Sequence, residues 1–274
     1  MRHEEPAAGS IWSRFSLAGK TALVTGSAGP LGSAFARTLA ELGARVVVSD
    51  RDQALCEATV ATLPAPASGF HLAVAADLLQ RDAWVPLIDT VGDELNRLDV
   101  LVNNAAFTGT SGVPGYAVPF EAQTADAFEA AMRLNLLAPF ALAKEAAPLL
   151  AASGGGSIVN IASIYGIVGP NLGLYEGTTM GNPAAYGATK GGIIQLTRYL
   201  ATVLAPSIRV NTIAPGGIER GQDAEFQNRY SSLTPLRRMA TEADMCGALA
   251  WLATDASAYV TGQLVAVDGG WTAW

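Results

Sequence analysis

Short, almost wholly apolar runs alternate along the chain with longer segments in which apolar residues recur at helical spacing. The short runs fall at 21–25, 45–49, 70–75, 100–102, 157–161, 208–213 and 264–267. Runs of this kind, rich in Val, Ile and Leu at consecutive positions, read as strands buried on both faces. Between most of them lie helix-length segments at 31–42, 52–63, 82–96, 124–152, 185–204 and 242–254. Repeated strand–helix–strand order predicts an α/β fold: a doubly wound, seven-stranded parallel sheet in a three-layer α/β/α sandwich.

The connections are less even. The stretch 64–69, Pro-Ala-Pro-Ala-Ser-Gly, reads as a turn rather than a domain linker. Two irregular stretches, 107–119 and 166–183, are long for a compact α/β domain, and 220–235 is a third. Loops of that length are usually lids or binding loops. No repeat or low-complexity tract divides the chain. It is read as a polar N-terminal tail, 1–16, followed by a single domain over 17–274.

Composition narrows the class. Of 274 residues, 50% are hydrophobic and only 15% charged, which excludes intrinsic disorder. The 29 glycines have no period of three, which excludes collagen. The net charge of −7 lacks the basic footprint of a nucleic-acid binder. Cys56 and Cys246 have no CxxC or His-rich surroundings, so neither a disulfide scaffold nor a metal site is expected. Residues 1–10 lack an apolar signal core. The most apolar zone, 132–152, carries Arg133, Asn135, Lys144 and Glu145, which suits a core helix better than a membrane span. The expectation is a soluble cytoplasmic protein that binds neither membranes nor nucleic acid.

Candidate chemistry begins after the first strand, with Gly26, Gly29, Leu31 and Gly32 leading into a helix. Glycines there let a pyrophosphate approach the backbone, and the helix start supplies unpaired N–H groups and a positive dipole end. Asp50 closes the second strand about 18 residues beyond Gly32, the spacing of an acid that holds ribose hydroxyls. A carboxylate there accepts from a 2′-hydroxyl and repels a 2′-phosphate, which favours NAD over NADP. Arg51 argues the other way, since a guanidinium can pair with a phosphate.

Further on, Tyr186 and Lys190 stand four apart and share one helix face. Ser163 follows the fifth strand, at the sheet edge where ligands of α/β proteins bind. A phenol beside an ammonium is acidified and can serve as a general base toward an alcohol.

Taken in order, these elements resemble the short-chain dehydrogenase/reductase family over about residues 17–271. The motifs are the loop Gly26–Gly32, Asp50, Asp77-Leu78, Asn103-Asn104-Ala105-Ala106, Asn135, Ser163, Tyr186, Lys190 and Pro215-Gly216. The resemblance implies a Rossmann-type fold and hydride transfer between NAD and a small molecule. Tyr186 would be the acid/base and Ser163 would hold the substrate oxygen. Lys190 would lower the tyrosine's pKa and bind the nicotinamide ribose, and Asn135 would hold a water in a proton relay. Asp77 and Leu78 would border the adenine, Asn104, Ala105 and Ala106 the adenosine ribose, and Pro215, Gly216 and Ile218 the nicotinamide. The resemblance also implies a homotetramer, or a dimer, built through the helices at 124–152 and 185–204.

Three departures bear on the reading. The glycines are spaced G-x-x-G-x-x-G, as in the epimerase-like branch of the family, and Pro30 falls where the first helical turn is expected. An NAD-retaining sugar epimerase or dehydratase is therefore an alternative to a dehydrogenase, although the length leaves little room for a second substrate domain. Secondly, Ser163 and Tyr186 stand further apart than usual, and 166–183 forms an insertion. Its Asn171, Tyr175, Glu176, Thr178, Thr179 and Asn182 would suit a sugar, sugar acid or polyol; a structural flap or interface loop is the other reading. Thirdly, Arg220 replaces a family threonine, and reads either as a contact for an anionic substrate group or as a solvated surface residue.

Overall fold

The protein is described here from a computed structural model, in which residues 9–109, 111–178 and 180–274 are described. Seven parallel strands form one sheet in the order β3-β2-β1-β4-β5-β6-β7. They are β1 Thr21–Thr25, β2 Arg45–Asp50, β3 Leu72–Ala75, β4 Val100–Asn103, β5 Gly156–Ile161, β6 Ile208–Pro215 and β7 Leu264–Val267. The order reverses between β1 and β4, which opens a crevice at the C-terminal ends of these strands.

Helices cover both faces. On one side α3 (Trp84–Leu95) and α5 (Ala138–Ala152) pack through Leu87, Val91, Leu142 and Leu150 against Leu23, Leu101 and Ile158 of the sheet. On the other, α1 (Pro30–Glu41) and α8 (Glu242–Ala253) pack through Phe35, Leu39, Met245 and Leu249 against Val24, Val46, Val102 and Val159. Alternate residues of each central strand thus feed opposite cores, which is why these strands read as continuous apolar runs. The helix α2 (Gln53–Ala61) flanks β2 and β3 and buries Cys56. Residues Trp12–Phe15, within the segment read as a polar tail, form a 3-10 turn near Asp255–Ser257.

Two elements differ from expectation. The segment read as one helix over 124–152 is divided: α4 (Ala125–Met132) passes through a π-helical turn, Arg133–Leu137, into α5. Pro139 explains the break, since it has no N–H to offer the carbonyl of residue 135. The helical run is long and apolar enough, by length and composition, to cross a bilayer, but α5 is the core helix of one sheet face. The stretch 220–235, read as irregular, contains α7 (Ala224–Leu233). Its polar composition hides it. Asp223 caps it through the N–H groups of Glu225 and Phe226, and Phe226 and Tyr230 form a short i, i+4 apolar stripe.

Candidate active site

Because all seven strands are parallel, their C-terminal ends present the predicted residues along one edge. The glycine loop leaves β1 with Gly26 in the left-handed region at φ +64°. A Cβ on Gly32 would stand 2.2 Å from the carbonyl oxygen of Gly26, so the loop and the first turn of α1 pack backbone to backbone. Gly29 differs, since a Cβ there would meet nothing closer than 3.5 Å. Packing demands a glycine at 26 and 32 but not at 29, where bare backbone caps α1 at its positive end. Pro30 takes the first helical position, where its missing N–H costs no bond.

Neighbouring strands hold the loop from both sides. The Asp50 carboxylate accepts from the N–H of Ala28 at 3.2 Å and of Arg51 at 2.8 Å. Ser27 Oγ donates to the Val24 carbonyl at 2.7 Å and accepts from Ser49 N–H at 2.8 Å. Asn104 Nδ2 donates to the carbonyls of Thr25 and Gly26 at 2.9 and 3.0 Å. Thr25 Oγ1 accepts from the backbone N–H of Asn104 and Ala105. Asn104 therefore ties the end of β4 to the glycine loop through its side-chain Nδ2. Asp77 is exposed, and its carboxylate caps the following turn at Leu79 N–H. Leu78 is buried and its carbonyl accepts the Trp84 indole N–H at 3.0 Å. Arg51 is exposed.

Ser163, Tyr186 and Lys190 meet between β5 and α6 (Ala184–Val203). Ser163 is buried, its Oγ accepts from Tyr165 N–H at 3.2 Å, and its hydroxyl acts to lower the pKa of the neighbouring Tyr186 phenol. Lys190 is also buried, with Nζ donating to the Ile161 carbonyl at 2.7 Å and standing 5.7 Å from the centre of the Tyr186 ring. Gly166 lets this corner close, since a Cβ there would stand 2.5 Å from the carbonyl oxygen of Lys190. Burial raises the Tyr186 pKa, and the contributions that oppose it come from Ser163 and Arg220. Burial lowers the Lys190 pKa to about 8.

Asn135 lies in the π turn and is buried. Its Oδ1 accepts from Phe107 N–H at 2.8 Å, and its Nδ2 donates to Thr189 Oγ1 at 3.1 Å. The side chain therefore fastens the 107–119 loop to α6. Water-holding of the kind the resemblance implies is left to its backbone carbonyl, which Pro139 deprives of the ordinary helical donor.

Beside Lys190 and Ser163, Pro215 ends β6 and Gly216 and Gly217 follow. The Gly217 N–H donates to Tyr230 Oη at 2.6 Å, and the Tyr230 ring stacks on Trp271 with centroids 4.3 Å apart. Ile218 forms an isolated bridge with Ala240. Arg220, one of the two open readings, is ion-paired to Glu242 of α8 at 2.9 Å.

The insertion is well tied down. Asn171 caps its own turn, and the Thr178 hydroxyl donates to the Tyr175 carbonyl. Glu176 is exposed, while its carbonyl accepts from Arg229 of α7 at 2.6 Å. Thr179 lies outside the described residues. Tyr165, Tyr175 and Met180 pack against Ile164, Leu174, Phe226 and Tyr230. Sequence reasoning missed Thr25, Tyr165, Thr189 and Tyr230. Thr25, next to Gly26, is the one with a positional signal.

Comparison with known proteins agrees with this layout. A family model described as Enoyl-(Acyl carrier protein) reductase matches residues 26–272. The chain is 34% identical over 259 residues to cis-4-hydroxycyclohexanecarboxylate dehydrogenase of Sinomonas cyclohexanicum, covering 93% of this chain and 97% of the relative. A gluconate 5-dehydrogenase from Burkholderia cenocepacia, solved with NADP and tartrate, superposes with a TM-score of 0.83 at 31% identity, over 97% of this chain and 100% of its own. A short-chain dehydrogenase from Leptospira borgpetersenii with bound NAD+ gives 0.81 at 30% identity, over 99% of both. One sheet edge thus gathers the glycine loop, Ser163, Tyr186 and Lys190, on a chain matched almost end to end by such enzymes: it belongs to the short-chain dehydrogenase/reductase family and is an oxidoreductase.

Proposed function

We propose that the protein interconverts a secondary alcohol and a ketone on a small polar molecule, with NAD(H) as the hydride carrier. The observation that carries this reading is the Ser163–Tyr186–Lys190 corner at the sheet edge, with Ser163 and Lys190 buried and Tyr186 half-buried. The dinucleotide fits the residues present. Gly29 leaves bare backbone at the α1 N-terminus that packing does not demand, and Asp50 stands beside it. Gly26, Gly29, Leu31 and Gly32 would hold the pyrophosphate. Asp50 and Arg51 would border the adenosine ribose, with Asp77, Leu78, Asn104, Ala105 and Ala106 around the adenine side. Lys190, Pro215, Gly216 and Ile218 would take the nicotinamide half. When bound, the nicotinamide supplies the hydride acceptor.

The chain's own part is to orient the alcohol and move its proton. Ser163 holds the substrate oxygen against the Tyr186 phenol oxygen, which as phenolate takes the alcohol proton on oxidation and as phenol gives it back on reduction.

NAD is favoured over NADP because Asp50 faces the loop while Arg51 is exposed, so a 2′-phosphate would meet a carboxylate first. Two of the compared proteins are named for hydroxy acids, hydroxycyclohexanecarboxylate and gluconate, which supports a substrate carrying a second oxygen function. The G-x-x-G-x-x-G spacing is the one feature favouring an epimerase, and the near-complete match to single-domain dehydrogenases weighs against it. We also propose a cytoplasmic homo-oligomer, a tetramer or a dimer. A groove of about 520 Å³ on α4, the π turn and α6 supports it, lined by Met132, Leu136, Leu137, Phe140 and Leu196.

The test is turnover of secondary alcohols, sugar acids and polyols with NAD+ and with NADP+. Tyr186→Phe should lower kcat about 10²–10⁴-fold with the fold intact. Unchanged turnover would remove Tyr186 from the mechanism, and a preference for NADP+ would overturn the cofactor reading.

A further inference from the structure

The insertion contributes less polar surface to the site than its composition promises. Asn171 and Thr178 spend their side chains on the loop's own turns, and Glu176 is exposed. Two of its polar side chains converge elsewhere. Tyr175 Oη stands 2.8 Å from Tyr165 Oη, and Asn182 lies close enough to both phenols to act on their electrostatics. All three side chains are half-buried.

This trio is fixed to the catalytic corner by three short links. Tyr165 lies two residues beyond Ser163 and donates its N–H to Ser163 Oγ. Asn182 stands four residues before Tyr186, just ahead of Pro183, the residue that caps α6. Tyr175 is close enough to Tyr186 to raise its pKa further by charge repulsion. The Tyr175 ring is held from behind, its centroid 5.5 Å from that of Phe226 on α7, while Arg229 of the same helix grips the carbonyls of Gly173 and Glu176. The position is thus rigid rather than adaptable.

The pair of phenols has a donor to spare. One phenolic hydrogen at most can lie between the two oxygens, so the other O–H is directed elsewhere. A small molecule seated on Ser163 and Tyr186 and extending toward this trio would satisfy it best with an oxygen that accepts.

We propose that Tyr175, held by Tyr165 and Asn182, is a specificity-determining residue that hydrogen-bonds a second oxygen of the substrate, a hydroxyl or carboxylate, while Ser163 and Tyr186 hold the first. This rests on the dehydrogenase reading and adds a requirement for bifunctional substrates. A pocket built to bond such an oxygen discriminates strongly against an analogue lacking it, because its own donors are then left unpaired.

The probes are 4-hydroxycyclohexanecarboxylate and cyclohexane-1,2-diol against cyclohexanol, each followed by turnover with NAD+ and by calorimetric binding to the NADH-loaded enzyme. Tyr175→Phe keeps the ring on Phe226 and removes only the hydroxyl. It should lower kcat/KM for at least one bifunctional probe about 10- to 100-fold, mainly through KM, and weaken its binding equally. Cyclohexanol should change less than twofold. Tyr165→Phe should show the same pattern in milder form, with an unfolding midpoint near wild type for both variants. Equal losses on all three probes, or no loss on any, would overturn the proposal. So would a wild-type enzyme that binds neither bifunctional probe. Binding that depends on Tyr175 without any turnover would instead leave this site standing and overturn the dehydrogenase reading.

Discussion

Lys190 shows how little a residue's neighbours in sequence say about its charge. Its position four residues after Tyr186 was legible, and so was its side of the helix. Its condition was not, because it depends on β5: the Nζ lies against the Ile161 carbonyl and is shut off from water, which lowers its pKa to about 8. The sign of the consequence is set by linkage. The unfolded chain keeps this lysine protonated up to its ordinary value near 10.5, while the folded chain releases the proton above about 8. The unfolded state therefore binds more protons in that window, and stability gains from this residue as pH rises through it. Wild type should gain in unfolding midpoint relative to Lys190→Met between pH 7.5 and about 9.5, as read by thermal melts in matched buffers. A constant difference across that range would show that the lysine titrates elsewhere. Ser163 and the loop glycines were legible for a simpler reason, since strand ends in a parallel sheet fix where they emerge. The Tyr175–Tyr165 contact was not, because it joins two loops whose paths no periodicity encodes.

Among the elements, regular ones announced themselves and irregular ones did not. Strands buried on both faces read as apolar runs, and the helices at 31–42 and 82–96 carried strong stripes. The π turn at Arg133–Leu137 is invisible to a 3.6-residue period, though Pro139 is a usable sign of disturbance. Its effect is chemical as well as geometric. The wider turn carries Asn135 inward, where it bonds Phe107 N–H and Thr189 at once. Asn135→Ala leaves that buried N–H unpaired and should cost about 1–3 kcal/mol. Urea unfolding would measure the loss, and hydrogen exchange should quicken first at Phe107 and its neighbours. A stability change without faster exchange in 107–119 would mean the asparagine does not tether that loop. Helix α7 was missed because only Phe226 and Tyr230 face inward, too short a stripe to stand out among polar residues.

For the whole molecule, the sheet order brings the glycine loop, Asp50, Ser163 and Pro215 to one rim, while the opposite problem is what lies on the sides. Phe128 and Phe140 each expose 38% of their surface beside the groove formed by Met132, Leu136, Leu137 and Leu196. Apolar surface of that kind is what the proposed subunit contact would cover. Phe140→Glu should shift the protein toward smaller species in light scattering, with the far-UV spectrum unchanged. An unaltered mass would place the subunit contact elsewhere. The N-terminal residues 1–8 lie outside the described residues and play no part in this account.

The π turn has two audiences. Asn135 on its inner side holds the loop over the site, while Arg133, Leu136 and Leu137 on its outer side line the groove. Helix segments are stiff, so rolling the turn moves both sets together. A second copy seated in that groove would then sense the loop's position, and equilibria that share a moving part are reciprocal. Whatever settles the loop would tighten the assembly by some factor, and assembly would sharpen the site's affinity by that same factor. Dilution, on this view, would act on the molecule as a weak inhibitor.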